Sequence, residues 1–435
     1  MPEILIASLS PVGHIAPLLN VAQGLVDRGD RVTVLSSADH AAKIRAVGAT
    51  PQAIPAEADF DVTRLDIDLP GRTKTSGIKR VNFDIVRLFV QPMPHQTRVL
   101  SELMAQTAFD AIIVDAGFFG ILPFLLGDRA ARPPVLMYAT TPLMISSRDT
   151  APSGMGLPPS SSALGRLRNR ALHLLSQKVL LRQSQHAVNY LLDHLNSRPL
   201  PMFILDAALL GDRYISPTVP EFDYPRSDLP ANVRYVGAVH PSPADGYRPP
   251  PWWAELDGDR PVVHVTQGTI DNADLGRLVE PTIEALADED VIVVVSTGGR
   301  DASQLKVALP TNTFVAEHIP HDQLLPTVDV MVTNGGYGAV QRALSMGVPL
   351  VVAGNTEDKP EVAARVAWTG AGIDLRTGAP TAGAVRAAVR DVLNDGSYLS
   401  AARALEAAFA RRCGVAEIAA LVDEVIGEHR TAVKR

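Results

Sequence analysis

A chain of 435 residues with 46% apolar content supplies about two to three domains of roughly 150 residues each. Its net charge of −7 and pI near 5.9 exclude the basic footprint of a nucleic-acid-binding protein. The single cysteine, Cys413, excludes an internal disulfide and a cysteine-based zinc cluster, and it fits a reducing compartment.

The opening residues, MPEILIASLSPVGH, have no basic start and no long apolar core, so no secretory signal is expected. No segment reaches the roughly 20 apolar residues of a membrane span. The nearest, FDAIIVDAGFFGILPFLLGD, is broken by Asp115, glycines and Pro123 and reads as a buried strand followed by a helix. A cytoplasmic location is the resulting expectation.

The apolar run Ile4–Leu9 predicts a first strand, and a Ser-Pro-Val-Gly-His turn follows it. Leu18, Leu19, Ala22 and Leu25 then recur at helical spacing as far as Arg28-Gly29, before the β-branched run RVTVLSS. This is a βαβ unit, and continuous apolar strands suit a parallel sheet covered on both faces. AIIVDA (111–116) and PVLMYAT (134–140) predict further strands. Two regions interrupt the alternation: a polar stretch at 56–80 and RDTAPSGMGLPPSSS at 148–162. Each reads either as a lid or binding loop or as a surface excursion. A helical stretch (163–197) and the strand-like DRYISP and VRYVGAV complete the first half.

HPSPADGYRPPPWW (240–253) is the densest proline segment and the candidate interdomain linker. A second alternation follows, with strands expected in PVVHVTQGT, VIVVVSTGG, NTFVAEHI, VDVMVTNGG and VPLVVAG, and residues 384–429 look largely helical. The fold class expected is therefore α/β, with two Rossmann-like doubly wound domains facing each other across a cleft. The divisions are 1–239, a linker at 240–260, a second domain at 261–400 and a closing helical segment at 401–435.

Ligands of open parallel sheets bind beyond the carboxyl ends of the strands, so the loops there are the places to look. His14 opens a helix, where the dipole disfavours imidazolium and leaves a neutral base; hydrogen bonding to a nearby carbonyl is the plainer role. Asp115 ends a strand, as a helix cap or as the carboxylate that orients His14. TQGT (266–269) and TNGGYGAV (333–340) are glycine turns whose amides suit an anion such as a diphosphate, although turn chemistry explains either one alone. Neither is the lysine-bearing phosphate loop, and no GxGxxG follows the first strand, which argues against P-loop ATPases and dinucleotide dehydrogenases. Glu357, Asp358 and Lys359 precede a helix, where acidic residues complement its dipole or accept hydrogen bonds from sugar hydroxyls.

In order, GHIAPLLNVAQGLVDRGDRVTVLSS, IIVDA and HIPHDQLLPTVDVMVTNGGYGAVQRALSMGVPLVVAGNTEDKPEVAARV resemble the UDP-glycosyltransferase superfamily. The resemblance is to its bacterial branch acting on macrolides and aromatic polyketides, and it covers essentially the whole chain. It implies the glycosyltransferase-B fold, with acceptor binding in the first domain and nucleotide-sugar binding in the second. It also implies a metal-independent, inverting transfer of a sugar from a UDP- or dTDP-linked donor to a hydroxyl of a hydrophobic small molecule. His14 and Asp115 would be catalytic. Gly268, Thr269, His318, Asn334, Gly335, Gly336, Gly338, Ala339, Arg342, Glu357, Asp358 and Lys359 would bind the donor. Phe83, Phe89, Phe118 and Met144 are acceptor-side candidates, each equally explained by core packing. No cofactor beyond the nucleotide sugar, no metal and no nucleic acid are implied, and a homodimer is left open.

The sequence departs from the family pattern at Asn334 (usually histidine), Ala339 (serine), Arg342 (glutamate) and Lys359 (glutamine). His318 takes the place of a base-stacking aromatic, with His321 in the glutamine place. Asn334 is expected to keep a weaker diphosphate contact, and Arg342 to reach phosphate instead of ribose. Two competing readings remain: a non-catalytic nucleotide-sugar-binding or auxiliary protein, and a nucleotide-sugar epimerase of the same fold.

Overall fold

The computed structural model describes residues 1–240, 246–269 and 271–433. Two all-parallel sheets organise it. The first runs β3-β2-β1-β4-β5-β6-β7, with β1 Glu3–Ala7, β2 Arg31–Ser36, β3 Thr50–Ala53, β4 Ala111–Asp115, β5 Val135–Tyr138, β6 Arg213–Ser216 and β7 Val233–Tyr235. The second runs β10-β9-β8-β11-β12-β13, with β8 Val262–Thr266, β9 Ile292–Ser296, β10 Thr313–Ala316, β11 Val330–Thr333, β12 Leu350–Val352 and β13 Gly372–Asp374. Each chain path starts mid-sheet, winds to one edge, then returns to wind outwards on the other side. The order therefore reverses between β1 and β4 and again between β8 and β11. Those two crevices are where such sheets accept ligands.

The central strands are apolar throughout because helices cover both faces. β1, β4, β8 and β9 are buried along almost their whole length. In the first domain one layer holds Leu5, Ile112 and Val114, and the opposite layer holds Ile4, Ile6 and Ile113.

The structure adds detail at three of the expected domain limits. Residues 241–245 of the expected linker lie outside the described residues, but its remainder is no free tether. Trp252 stacks on Phe314 with ring centroids 5.2 Å apart, and Trp253 packs on Trp252. The expected boundary at 400/401 falls inside the helix Gly396–Ala410, which packs through Ala402, Leu405 and Phe409 on the second domain. Finally, the terminal helix Val415–Val433 crosses back to the first domain. There Ile418, Val422 and Val425 join the layer of Ile15 and Leu18, and Arg28 donates to the Ala419 carbonyl at 3.0 Å.

Candidate active site

β1 and β4 flank the first crevice, and each delivers one candidate catalytic side chain into it. After β1 the chain turns at Pro11 into the helix Val12–Asp27, and His14 sits in its first turn with its amide on the Pro11 carbonyl at 2.8 Å. Asp115 is the last residue of β4 and is fully buried. Its Oδ1 accepts the Gly117 amide at 2.8 Å, and its Oδ2 lies 2.6 Å from His14 Nδ1. Asp115 is thus both the turn cap and the partner of the histidine.

Thr140, two residues beyond β5, brings its Oγ1 to 3.2 Å from the same nitrogen. Sequence reasoning passed over Thr140, although its place just past the end of a strand was the signal. With Nδ1 engaged on the carboxylate, Nε2 is the nitrogen left for chemistry. Burial lowers the His14 pKa, but Asp115, then Asp358 and Glu357, raise it further, and the net direction is up. The helix start, which favours the neutral imidazole, is thus not the only influence on His14. The carboxylate 2.6 Å away outweighs the helix dipole and makes His14 the stronger base.

Asp358 belongs to the second domain, so its field at His14 spans the cleft. It precedes the helix Lys359–Thr369, and its own pKa is pushed up to about 6 by burial, offset by Lys359 and reinforced by Glu357. Glu357 has a left-handed backbone, φ 55°, a strained conformation that concentrates at functional loops.

The second crevice is a set of interlocked loops. Asn272 donates to three carbonyls, Gly268 at 2.9 Å, Thr297 at 3.0 Å and Gly298 at 3.1 Å, tying the β8 exit to the β9 exit. A Cβ at Gly298 would stand 2.0 Å from the Gly268 carbonyl oxygen, and one at Gly354 would stand 1.9 Å from that of Asn334. Only glycine permits these approaches. Gly336 then caps the helix Tyr337–Leu344 without any side-chain hydrogen bond to its first turn. The free amides and the dipole there suit an anion. Gly338 and Thr269 are exposed, Gly268 and Ala339 half-buried, and Gly335 buried at φ 87°.

Three donor-side candidates have protein partners of their own. Asn334 is 7% exposed; its Nδ2 donates to the Gln267 carbonyl at 2.6 Å and its Oδ1 accepts from the Gly336 amide at 3.3 Å. Its amide therefore joins the two turns. Lys359 is buried, with its ammonium on Glu357, on Thr356 at 3.1 Å and near Asp271 at 3.7 Å. It is a strut between loops. Arg342 lies in the last turn of its helix, in a group with His240, His321 and Asp322, where burial and Arg342 hold His240 down to about 3. His318 is exposed at the cleft margin, its Nε2 2.8 Å from where a Gly299 Cβ would be.

Among the acceptor candidates, Phe118 is corrected to the core: it is 0% exposed and offers no surface. Phe89 is half-buried beside Gly117, next to the His14–Asp115 pair. Met144 is half-buried. Phe83 lies against Gly71 and under Arg87, whose Cζ is 5.6 Å from its centroid; no contact brings it to His14.

A buried network missed in the sequence joins the two domains. Glu361, 5% exposed, accepts the amides of Gly154 at 2.8 Å and Gly156 at 2.9 Å. Arg365 pairs with Glu361 at 2.9 Å and with Asp223 at 3.0 Å, and Arg226 meets Asp223 at 2.7 Å. The 148–162 loop is therefore a strap from the first domain onto the helix that carries Asp358.

The residues 280–425 match the Erythromycin biosynthesis protein CIII-like C-terminal domain. The chain is 40% identical over 426 residues to 4'-demethylrebeccamycin synthase of Lentzea aerocolonigenes, covering 98% of this chain and 99% of that protein. It is 36% identical over 437 residues to UDP-glycosyltransferase 2 of Phaeomoniella chlamydospora, covering 98% and 96%. The chain belongs to the UDP-glycosyltransferase family. This glycosyltransferase shares its fold with CalG4, the calicheamicin glycosyltransferase, at a TM-score of 0.74 and 20% identity over 98% of each chain. It is an enzyme of sugar transfer to small-molecule acceptors, built on the glycosyltransferase-B architecture. Among the described residues of the glycosyltransferase, no helix is long and apolar enough to cross a membrane.

Proposed function

We propose that this glycosyltransferase inverts the anomeric centre, with His14 as general base and Asp115 as its orienting carboxylate. The observation that carries the reading is the 2.6 Å His14–Asp115 pair, set across the cleft from Asp358 and the uncapped helix start at Gly336. His14 Nε2 takes the acceptor hydroxyl proton as the oxygen attacks the anomeric carbon. The bond from that carbon to the donor diphosphate breaks, and its electron pair leaves with the diphosphate. Amides following Gly335 and Gly336 hold the departing charge. Asp115 stabilises the imidazolium that forms, and Asp358 accepts hydrogen bonds from sugar hydroxyls. The donor is a UDP- or dTDP-sugar and the acceptor a hydrophobic hydroxylated natural product, a class supported by the names of the relatives.

Incubation with a nucleotide-sugar panel and an aglycone library tests this. The expected product gains one hexosyl or deoxyhexosyl unit with inverted anomeric configuration by NMR, and His14→Ala slows its formation on the order of 10²–10⁴-fold. Donor binding without transfer to any acceptor would instead support the auxiliary-protein reading. Retained configuration, or full turnover by His14→Ala, would overturn the assignment.

A further inference from the structure

The helix Ala163–Leu175 and the turn that follows it are amphipathic in the wrong sense for a surface helix. The side towards the protein is polar: Gly165, Asn169 and Ser176 are buried. Asn169 donates to the Arg148 carbonyl at 3.0 Å, His173 Nε2 meets the Thr150 carbonyl at 3.0 Å, and Gln177 donates to Ser146 at 3.2 Å. The apolar side faces solvent, with Leu164 81% exposed, Leu167 64%, Leu174 52% and Val179 64%. A helix normally buries such a stripe, and exposed patches of this kind mark a binding face. Ile78 and Val81 of the helix Gly77–Asp84 are exposed as well, and Asn82 ties that helix to the turn by donating to the Leu180 carbonyl at 2.6 Å.

Charge selects the occupant. From Thr150 to Leu192 the sequence contains no aspartate or glutamate, in a chain that is otherwise net acidic. Arg170, Lys178 and Arg182 lie on this stretch, exposed, and none takes part in an ion pair among the described residues. A second copy docking by the same face would set these cations against their own counterparts. Leucines flanked by cations, on a helix lying flat on the surface, instead match a bilayer interface bearing anionic headgroups.

We infer that the face formed by the Ala163–Leu175 helix and its following turn docks the enzyme peripherally on an anionic lipid surface. The polar side of the same helix sits on the loop at 146–150, just beyond Met144. Docking thus turns the acceptor side of the first domain towards the lipid, where a hydrophobic acceptor concentrates. The surface stands independently of the catalytic assignment, because its test reads binding and not turnover.

The test is flotation of the full-length enzyme with phosphatidylcholine vesicles, with and without phosphatidylglycerol. Binding is expected only with phosphatidylglycerol, and it should weaken as salt is added. Arg170→Gln and Lys178→Gln should each weaken it about fivefold. The double variant Leu167→Ser/Leu174→Ser should weaken it more than tenfold, with an unchanged melting curve and unchanged turnover of a water-soluble acceptor. A wild type that stays in solution beside anionic vesicles at low salt overturns the proposal, as does equal binding by all variants. If that wild type sediments as a dimer dispersed by the leucine variant, the face belongs to a second copy. If it does neither, the face belongs to a protein partner.

Discussion

Asp115→Asn isolates the orienting carboxylate without disturbing the turn it caps, because the asparagine oxygen still accepts the Gly117 amide. The lost interaction is a 2.6 Å bond from imidazole to a fully buried carboxylate. Hydrogen bonds to charged groups contribute about 1.5–3 kcal/mol. Since His14 carries its charge only once it has taken the acceptor proton, that energy is withdrawn chiefly from the transition state. The expected fall in kcat is about 10- to 150-fold. His14→Ala should lose more, on the order of 10²–10⁴-fold, the usual worth of a general base.

The pH profile gives a second readout with a definite sign. Burial lowers the His14 pKa, but Asp115 is the largest raising influence and the result lies above 6.5. His14 must be neutral to act, so wild-type kcat/KM should fall on the acid side of a limb above that value. In Asp115→Asn the limb should move to lower pH, because the largest raising influence on His14 is removed. The assay is kcat/KM across pH for one donor–acceptor pair. An acid limb that stays in place, with kcat reduced less than about twofold, would refute the His14–Asp115 mechanism.

Asp358→Asn should cut donor use while stabilising the fold. Its carboxyl is raised to about 6, so the ionised group costs stability above the ordinary carboxylate range. The gain should be on the order of 1–2 kcal/mol at pH 7.5 after allowing for partial exposure, and it should vanish near pH 3, where folded and unfolded states are both protonated; thermal melts at the two pH values measure it. Gly298→Ala forces a methyl towards the Gly268 carbonyl at a positive φ and should both lower the melt and raise the donor Kd at least tenfold by calorimetry; unaltered affinity would detach these loops from the donor. Arg365→Met leaves Glu361 without its buried cation and should lower stability by about 3–5 kcal/mol in denaturant titration, with the acid limb of kcat/KM unmoved.

The central strands were legible because parallel strands buried on both faces read as continuous apolar runs. Thr50–Ala53 and Gly372–Asp374 were not, since edge strands are short and partly exposed, and TPQA and GID carry no such run. His14 and Asp115 were found from their positions at strand ends. Their meeting across 101 residues needed the strand order, which places β1 beside β4 only once the sheet is assembled. Asn272, Glu361 and Arg365 left no local signal. Their roles depend on partners such as Gly154, 207 residues from Glu361, and a capping glutamate has the same sequence appearance as a latch.

Asn334 and Lys359 show why a departure from a family motif does not by itself mark a changed ligand contact. A departure from a family motif invites the inference that a ligand contact has changed. Here both side chains are committed to protein groups, the Gln267 carbonyl and the Glu357–Asp271 pair. In the proposed mechanism the departing diphosphate is held by the free backbone amides of the first turn of the helix Tyr337–Leu344, not by these side chains. A cradle made of amides tolerates exchange of the residues beside it as long as the loops keep their mutual approach. It follows that donor affinity should respond more to Gly298 and Asn272, which fix that approach, than to restoring histidine at Asn334.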